Sequence, residues 1–91
     1  MYLDKPTLVT VSPYPEVTKE ENESVTLNCQ ADGVPPPSYS WEFNNQVITG
    51  EVGRNLLRNN LQKSNIGNYS CVATNEIGVT KNYTKVLVKC K

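Results

Sequence analysis

Three cysteines, Cys29, Cys71 and Cys90, are the side chains of this 91-residue chain best suited to redox, nucleophilic or metal chemistry, and no histidine accompanies them. Without histidine there is no Ser-His dyad and no His-carboxylate site, and no cysteine has an evident general base. Glu20, Glu21 and Glu23 cluster, but in a turn-like stretch that reads as a solvated charged loop rather than an acid–base pair. No glycine-rich run could cradle a phosphate. The chain is therefore expected to be no enzyme and to need no cofactor. An odd cysteine count leaves at least one thiol over. Three acceptor triplets, Asn22-Glu23-Ser24, Asn68-Tyr69-Ser70 and Asn82-Tyr83-Thr84, would carry glycans in a secreted chain.

Ninety-one residues make one domain. A domain this small buries only about 60–65% of the surface its unfolded chain exposes, so its core is marginal. Nine basic residues balance nine acidic ones with no basic stripe, which disfavours nucleic acid and anionic membranes as partners. No stretch approaches the roughly 20 apolar residues of a membrane span, and no signal peptide opens the chain, so direct membrane insertion is not expected. Met1 to Asp4 reads as an expression start. Residues 1–5 are assigned to a starting or linker segment and 6–89 to the domain, a module of a longer protein.

The elements that must position these residues are all strands. Apolar residues alternate at period two, and turn residues recur about every ten positions. A first strand is expected at Thr7–Ser12, with Val9 and Val11 on one face. Pro13 and Pro15 interrupt it, as an edge tolerates, and Val17 resumes packing on the opposite sheet. Glu23–Gln30 follows, with Val25, Leu27 and Cys29 inward and Thr26 and Asn28 outward. Tyr39–Phe43 buries Tyr39, Trp41 and Phe43. Asn44-Asn45 accepts positive φ and makes a tight turn into Gln46–Thr49. Gly50 and Gly53 discourage regular structure, so any strand between 50 and 55 is short or missing. Strands at Leu56–Leu61, Asn68–Asn75 and Val79–Lys89 complete the chain, the last two joined by a turn at 75–78.

The order Cys29, Trp41, Cys71, with Gly33-Val34-Pro35-Pro36-Pro37 before the tryptophan and Gly67-Asn68-Tyr69-Ser70-Cys71 around the second cysteine, resembles an immunoglobulin-superfamily domain. The likeness is nearest the intermediate set of cell-adhesion molecules and receptor ectodomains and runs from about Pro6 to Val88. It implies an all-β, two-sheet antiparallel Greek-key sandwich. One sheet would hold the strands at 7–12, 23–30 and 56–61; the other, those near 17 and at 79–89, 68–75, 39–43 and 46–49. Too few residues separate Phe43 from Leu57 for the extra central hairpin of a variable-type domain.

The resemblance also implies roles for individual residues. Cys29 and Cys71 would form the inter-sheet disulfide, the alternative being buried free thiols as in intracellular muscle members of the superfamily. Cys90 would then be free, bonded to a following domain, or bonded between chains, and a metal site would lack ligands. Tyr69 would make the tyrosine corner, with Gly67 turning the chain into its strand. Asn65 stands where an acidic residue is usual, so the usual salt bridge at the base of the sandwich is in doubt. Asn22 replaces a common glycine, and its short amide tolerates left-handed backbone. Arg58 occupies an inward position, which requires either a bulged strand or a snorkelling side chain.

Alternation leaves Ser40, Glu42, Val72, Thr74, Tyr83, Lys85 and Leu87 outward on the sheet of the last strands. This is either a docking face for a protein partner, homophilic or heterophilic, or ordinary scattered exposure. Asn22, in a turn, is the best-placed glycan acceptor, Asn68 is next, and Asn82, mid-strand and inward, the worst. The expected role is an extracellular recognition module of a cell-surface protein, with neighbouring domains of the same kind in its chain. A spacer domain of an intracellular filament protein and a secreted immune-recognition domain are the alternatives.

Overall fold

The computed structural model describes residues 3–90, with side chains for all of these except Leu8; the expected start at Met1 and Tyr2 lies outside the described residues. Eight strands follow one another: β1 (Asp4–Ser12), β2 (Glu16–Glu20), β3 (Val25–Val34), β4 (Ser38–Phe43), β5 (Gln46–Val52), β6 (Asn55–Arg58), β7 (Gly67–Thr74) and β8 (Val79–Lys89). One turn of 3₁₀ helix, Lys63–Asn65, precedes β7. They form a three-stranded sheet, β1-β3-β6, facing a five-stranded sheet, β2-β8-β7-β4-β5. This is the expected sandwich, and no strand lies between β5 and β6. One pairing departs from antiparallel order, because β2 runs parallel to β8 with Val17 opposite Val86.

Prolines cause that arrangement. Neither Pro13 nor Pro15 can donate to a ladder, so β1 ends at Ser12. The chain then crosses to the other sheet, where Lys85 N–H donates to the Pro15 carbonyl at 3.1 Å and opens the β2–β8 pairing.

Several boundaries differ from expectation for reasons outside the local sequence. β1 begins at Asp4 rather than Thr7, and β3 extends to Val34 rather than Gln30, because the two ends pair with each other: Asp4 opposes Val34 and Thr7 opposes Asp32. β3 starts at Val25 rather than Glu23, since Glu20–Glu23 is a turn with Asn22 at φ 72°. There the Glu23 carboxylate accepts from Glu20 N–H at 2.7 Å. β5 runs to Val52 rather than Thr49. Gly50, at φ 85°, permits a bulge that shifts the β4–β5 register from Glu42 opposite Val47 to Ser40 opposite Val52. β6 stops at Arg58 rather than Leu61. Asn60 turns the chain at φ 53°, and Leu61 then enters the core.

The core lies between the sheets. Val25, Leu27 and Cys29 of β3 and Tyr69, Cys71 and Ala73 of β7 are buried, together with Val86 and Val88 of β8. Trp41 of β4 is fully buried and opposes Cys71 on the next strand. Its indole N–H donates to the Gly53 carbonyl at 3.0 Å, which satisfies the ring's one polar group. A disulfide joins Cys29 to Cys71, with Cα atoms 6.3 Å apart.

Thr84 of β8 breaks the apolar pattern. Its side chain is fully buried, and its hydroxyl has no hydrogen-bond partner. An orphan polar group costs about 1–3 kcal/mol. Thr84→Val keeps the shape and removes the hydroxyl, so the urea midpoint should rise by the equivalent of about 1–2 kcal/mol. A lowered midpoint would show that the hydroxyl does have a partner.

Candidate recognition face and its supports

Tyr69 sits at the base of β7 and is almost wholly buried. Its hydroxyl donates to the Asn65 carbonyl at 2.8 Å, closing the expected tyrosine corner, and its ring packs on Phe43 with centroids 4.8 Å apart. Burial raises the Tyr69 phenol above its ordinary range, while the Arg58 charge and the Asn65 bond pull it partly back. Asn65 makes no ion pair; its side-chain oxygen accepts from Gln62 N–H at 2.8 Å. The β3–β6 register is unbroken, with Val25 opposite Arg58, so the bulge is absent and Arg58 snorkels, its side chain half-buried. Gly67 is required by close approach: a Cβ there would lie 2.6 Å from the Asn44 side chain and 2.7 Å from Phe43.

β4, β7 and β8 bring the seven outward residues onto one side of the five-stranded sheet. Ser40 opposes Val72, Val72 opposes Lys81, Ser70 opposes Tyr83, and Asn68 opposes Lys85. The intervening residues Tyr69, Cys71 and Ala73 point into the core. Tyr83 is 53% exposed, Lys85 is exposed, and Ser40, Glu42, Val72, Thr74 and Leu87 are half-buried. Lys81 Nζ lies 3.3 Å from Glu42, an exposed pair worth at most about 1 kcal/mol.

Sequence reasoning missed three residues of this face. Val47 opposes Glu42, Val52 opposes Ser40, and Val79 opposes Thr74. All three are more than half exposed. Val52 was invisible because the bulge carries β5 past its expected end. Val79 sat at a strand start, where alternation has no preceding residue to set its phase, and Val47 lay on a strand whose outward side the sequence reading did not assign.

The three sequons differ in geometry. Asn22 and Asn68 are exposed. The Asn68 backbone is tied to Asn44 in both directions, at 2.9 Å and 2.8 Å, while its side chain stands on the outward face beside Lys85. Asn82 is half-buried; its amide donates to the Val9 carbonyl at 3.1 Å, and its side-chain oxygen accepts from Tyr83 N–H at 2.8 Å. Cys90 is exposed and unpaired among the described residues. The neighbouring Cys90 side chain, and after it the Glu21 charge, hold the Lys63 ammonium above its ordinary range. Among the described residues no cluster of three ligands could hold a metal, and no helix is long and apolar enough to cross a membrane.

Known proteins repeat this arrangement. The immunoglobulin-domain profile matches residues 5–75. Mouse hemicentin-2 is 48% identical over 65 residues, covering 64% of this chain and 1% of that protein. Canine vascular cell adhesion protein 1 is 30% identical over 86 residues, covering 89% of this chain and 11% of that protein. The chain thus spans only a small part of these relatives. Among solved structures, the N-terminal four immunoglobulin domains of Dscam1 isoform 4.44 superpose with a TM-score of 0.87 at 20% identity. That match covers 96% of this chain and 21% of the other, and at such identity it speaks to fold alone. With the profile covering most of its length, and with disulfide, tryptophan and tyrosine corner in place, this chain belongs to the immunoglobulin-domain family.

Proposed function

We propose that this chain is a non-enzymatic recognition module of an extracellular, cell-surface adhesion molecule or receptor, binding a protein partner through the outward face of its five-stranded sheet. The carrying observation is that face: Tyr83, Val47, Val52 and Val79 stand exposed around half-buried Val72 and Leu87, on strands held rigid by the disulfide beneath. Exposed apolar groups gathered on one surface, with an aromatic among them, are what a binding interface requires. The disulfide supports an oxidising compartment, and one relative is by name a cell adhesion protein. Neighbouring domains of the same kind fit a chain that spans so little of its relatives.

Glycans belong to the same reading. Asn22 and Asn68 are the acceptors, because their amides reach solvent. Asn82 is not an acceptor, because its amide would have to leave the Val9 carbonyl. Cys90 serves an external bond in the parent chain.

The test uses the chain secreted from a eukaryotic host. Binding of the multimerised chain to intact cells, and its self-association by sedimentation, are measured for Tyr83→Ala and Leu87→Ala. An aromatic anchor contributes about 2 kcal/mol or more, so Tyr83→Ala should weaken binding roughly thirtyfold. Unchanged values in both variants and both assays would remove the face from consideration. Intact mass should show carbohydrate on Asn22 or Asn68, and a bare, reduced protein would speak instead for a cytosolic spacer.

A further inference from the structure

On the edge away from β1, the two sheets leave a groove of about 560 Å³ between β6 and β5. Both bordering strands are edges: β6 has only β3 beside it, and β5 has only β4. Phe43, Ile48 and Tyr69 give it an aromatic and aliphatic side, and Gln46, Asn59 and Asn65 a polar one. Arg58 is the only charged residue in the lining. Among the described residues no carboxylate forms an ion pair with it, the single such pair being Lys81–Glu42. Asn65, beside it in the groove, gives its side-chain oxygen to Gln62 N–H and its carbonyl to the Tyr69 hydroxyl, and brings no charge.

The ladder shows which backbone groups face the groove. Cys29 N–H donates to the Arg54 carbonyl at 2.7 Å, and antiparallel bonding alternates from there. Leu56, opposite Leu27, and Arg58, opposite Val25, therefore turn their backbone groups toward β3. Asn55 and Leu57 turn theirs to the open edge, where no strand receives them. An edge with unpaired N–H and C=O groups is a template for an added strand.

We propose that this groove receives an extended peptide segment of a partner as an added strand along β6, with one aspartate or glutamate side chain seated on Arg58. Main-chain bonds to Asn55 and Leu57 supply the register. Charge complementarity names the side chain, because a half-buried cation without a counter-charge discriminates strongly in favour of a carboxylate. Side chains of an added strand alternate, so the residues two positions either side of the acidic one share the groove, where Phe43 and Ile48 favour aliphatic groups. Val47 borders both surfaces, but the open edge of β6 lies away from Tyr83, so this site stands whether or not the outward face binds a partner.

The test is titration of the ¹⁵N-labelled chain with two capped peptides, Val-Thr-Asp-Thr-Val and its counterpart with asparagine at the centre. The aspartate peptide should shift the Asn55 and Leu57 amides and the Arg58 Nε resonance, with a dissociation constant of about 1 mM. The asparagine peptide should bind about fivefold more weakly, and Arg58→Gln should abolish the difference between the two. Arg58→Met, which keeps the apolar stem, should do the same and guards against a folding defect in the glutamine variant. Equal binding of both peptides, or no shift at concentrations of about 5 mM, would overturn the proposal. So would concentration-dependent shifts of these amides in the free chain, since a second copy would then fill the edge.

Discussion

Replacing Cys29 and Cys71 together by alanine should lower the unfolding free energy by about 4 kcal/mol, the loop-closure contribution for a separation of 42 residues. Against a typical total of about 5–15 kcal/mol, this is the difference between a robust domain and a marginal one. Both sulfurs are wholly buried among Leu27, Leu56, Trp41 and Val86, so truncation also leaves a cavity and pushes the loss upward rather than downward. Urea denaturation of the variant, and of the wild type with and without reductant, checks this. Reduction should shift the midpoint in the same direction as the double substitution. A midpoint indifferent to reductant would show that the bridge contributes no cross-link in solution, and the case for an oxidising compartment would go with it.

Asn75→Ala should cost about 2–4 kcal/mol, an unusual penalty for a residue in a hairpin turn. The side chain makes four bonds. Its amide donates to the Asp4 carbonyl at 2.7 Å and the Pro35 carbonyl at 2.9 Å. Its oxygen accepts from Ile77 N–H at 2.9 Å and Gly78 N–H at 3.1 Å. One side chain thus ties the start of β1, the β3–β4 loop and the β7–β8 turn at one end of the sandwich. Alanine leaves all four backbone groups without that partner. Asparagine to aspartate is the sharper comparison. The carboxylate still accepts from Ile77 and Gly78, but it sets negative charge against two carbonyl oxygens, so Asn75→Asp should be no more stable than Asn75→Ala at neutral pH. Midpoints from urea unfolding, together with hydrogen-exchange protection at the start of β1, measure the effect. A near-wild-type Asn75→Asp would mean that the contacts to Asp4 and Pro35 contribute nothing.

The two predictions separate what could be read along the chain from what could not. The disulfide was legible through the order of Cys29, Trp41 and Cys71 and the family resemblance they carry. Burial of Val25, Leu27 and Cys29 followed from alternation, because successive strand side chains must point to opposite faces. β8 was placed at Val79–Lys89 with both bounds correct, since a long alternating run follows a turn. The positive φ of Asn22, Asn44 and Asn45 was also legible, because asparagine is the side chain that best tolerates it. Asn75 was visible only as part of a turn motif. Nothing local shows that its amide meets Asp4, 71 positions earlier.

The amino-acid order alone determined the all-strand character, most of the residues that face the core and the side of most strands that meets water, because these depend on local periodicity and on where proline and glycine interrupt it. The two-sheet arrangement came from the family resemblance. Tertiary structure decided the rest: how far β1 and β3 run, the bulge that brings Val52 onto the outward face, the snorkelling of Arg58 and the orphan hydroxyl of Thr84. Each of these turns on a partner distant in sequence, and a strand's length, register and open edge are properties of the pairing rather than of either strand by itself.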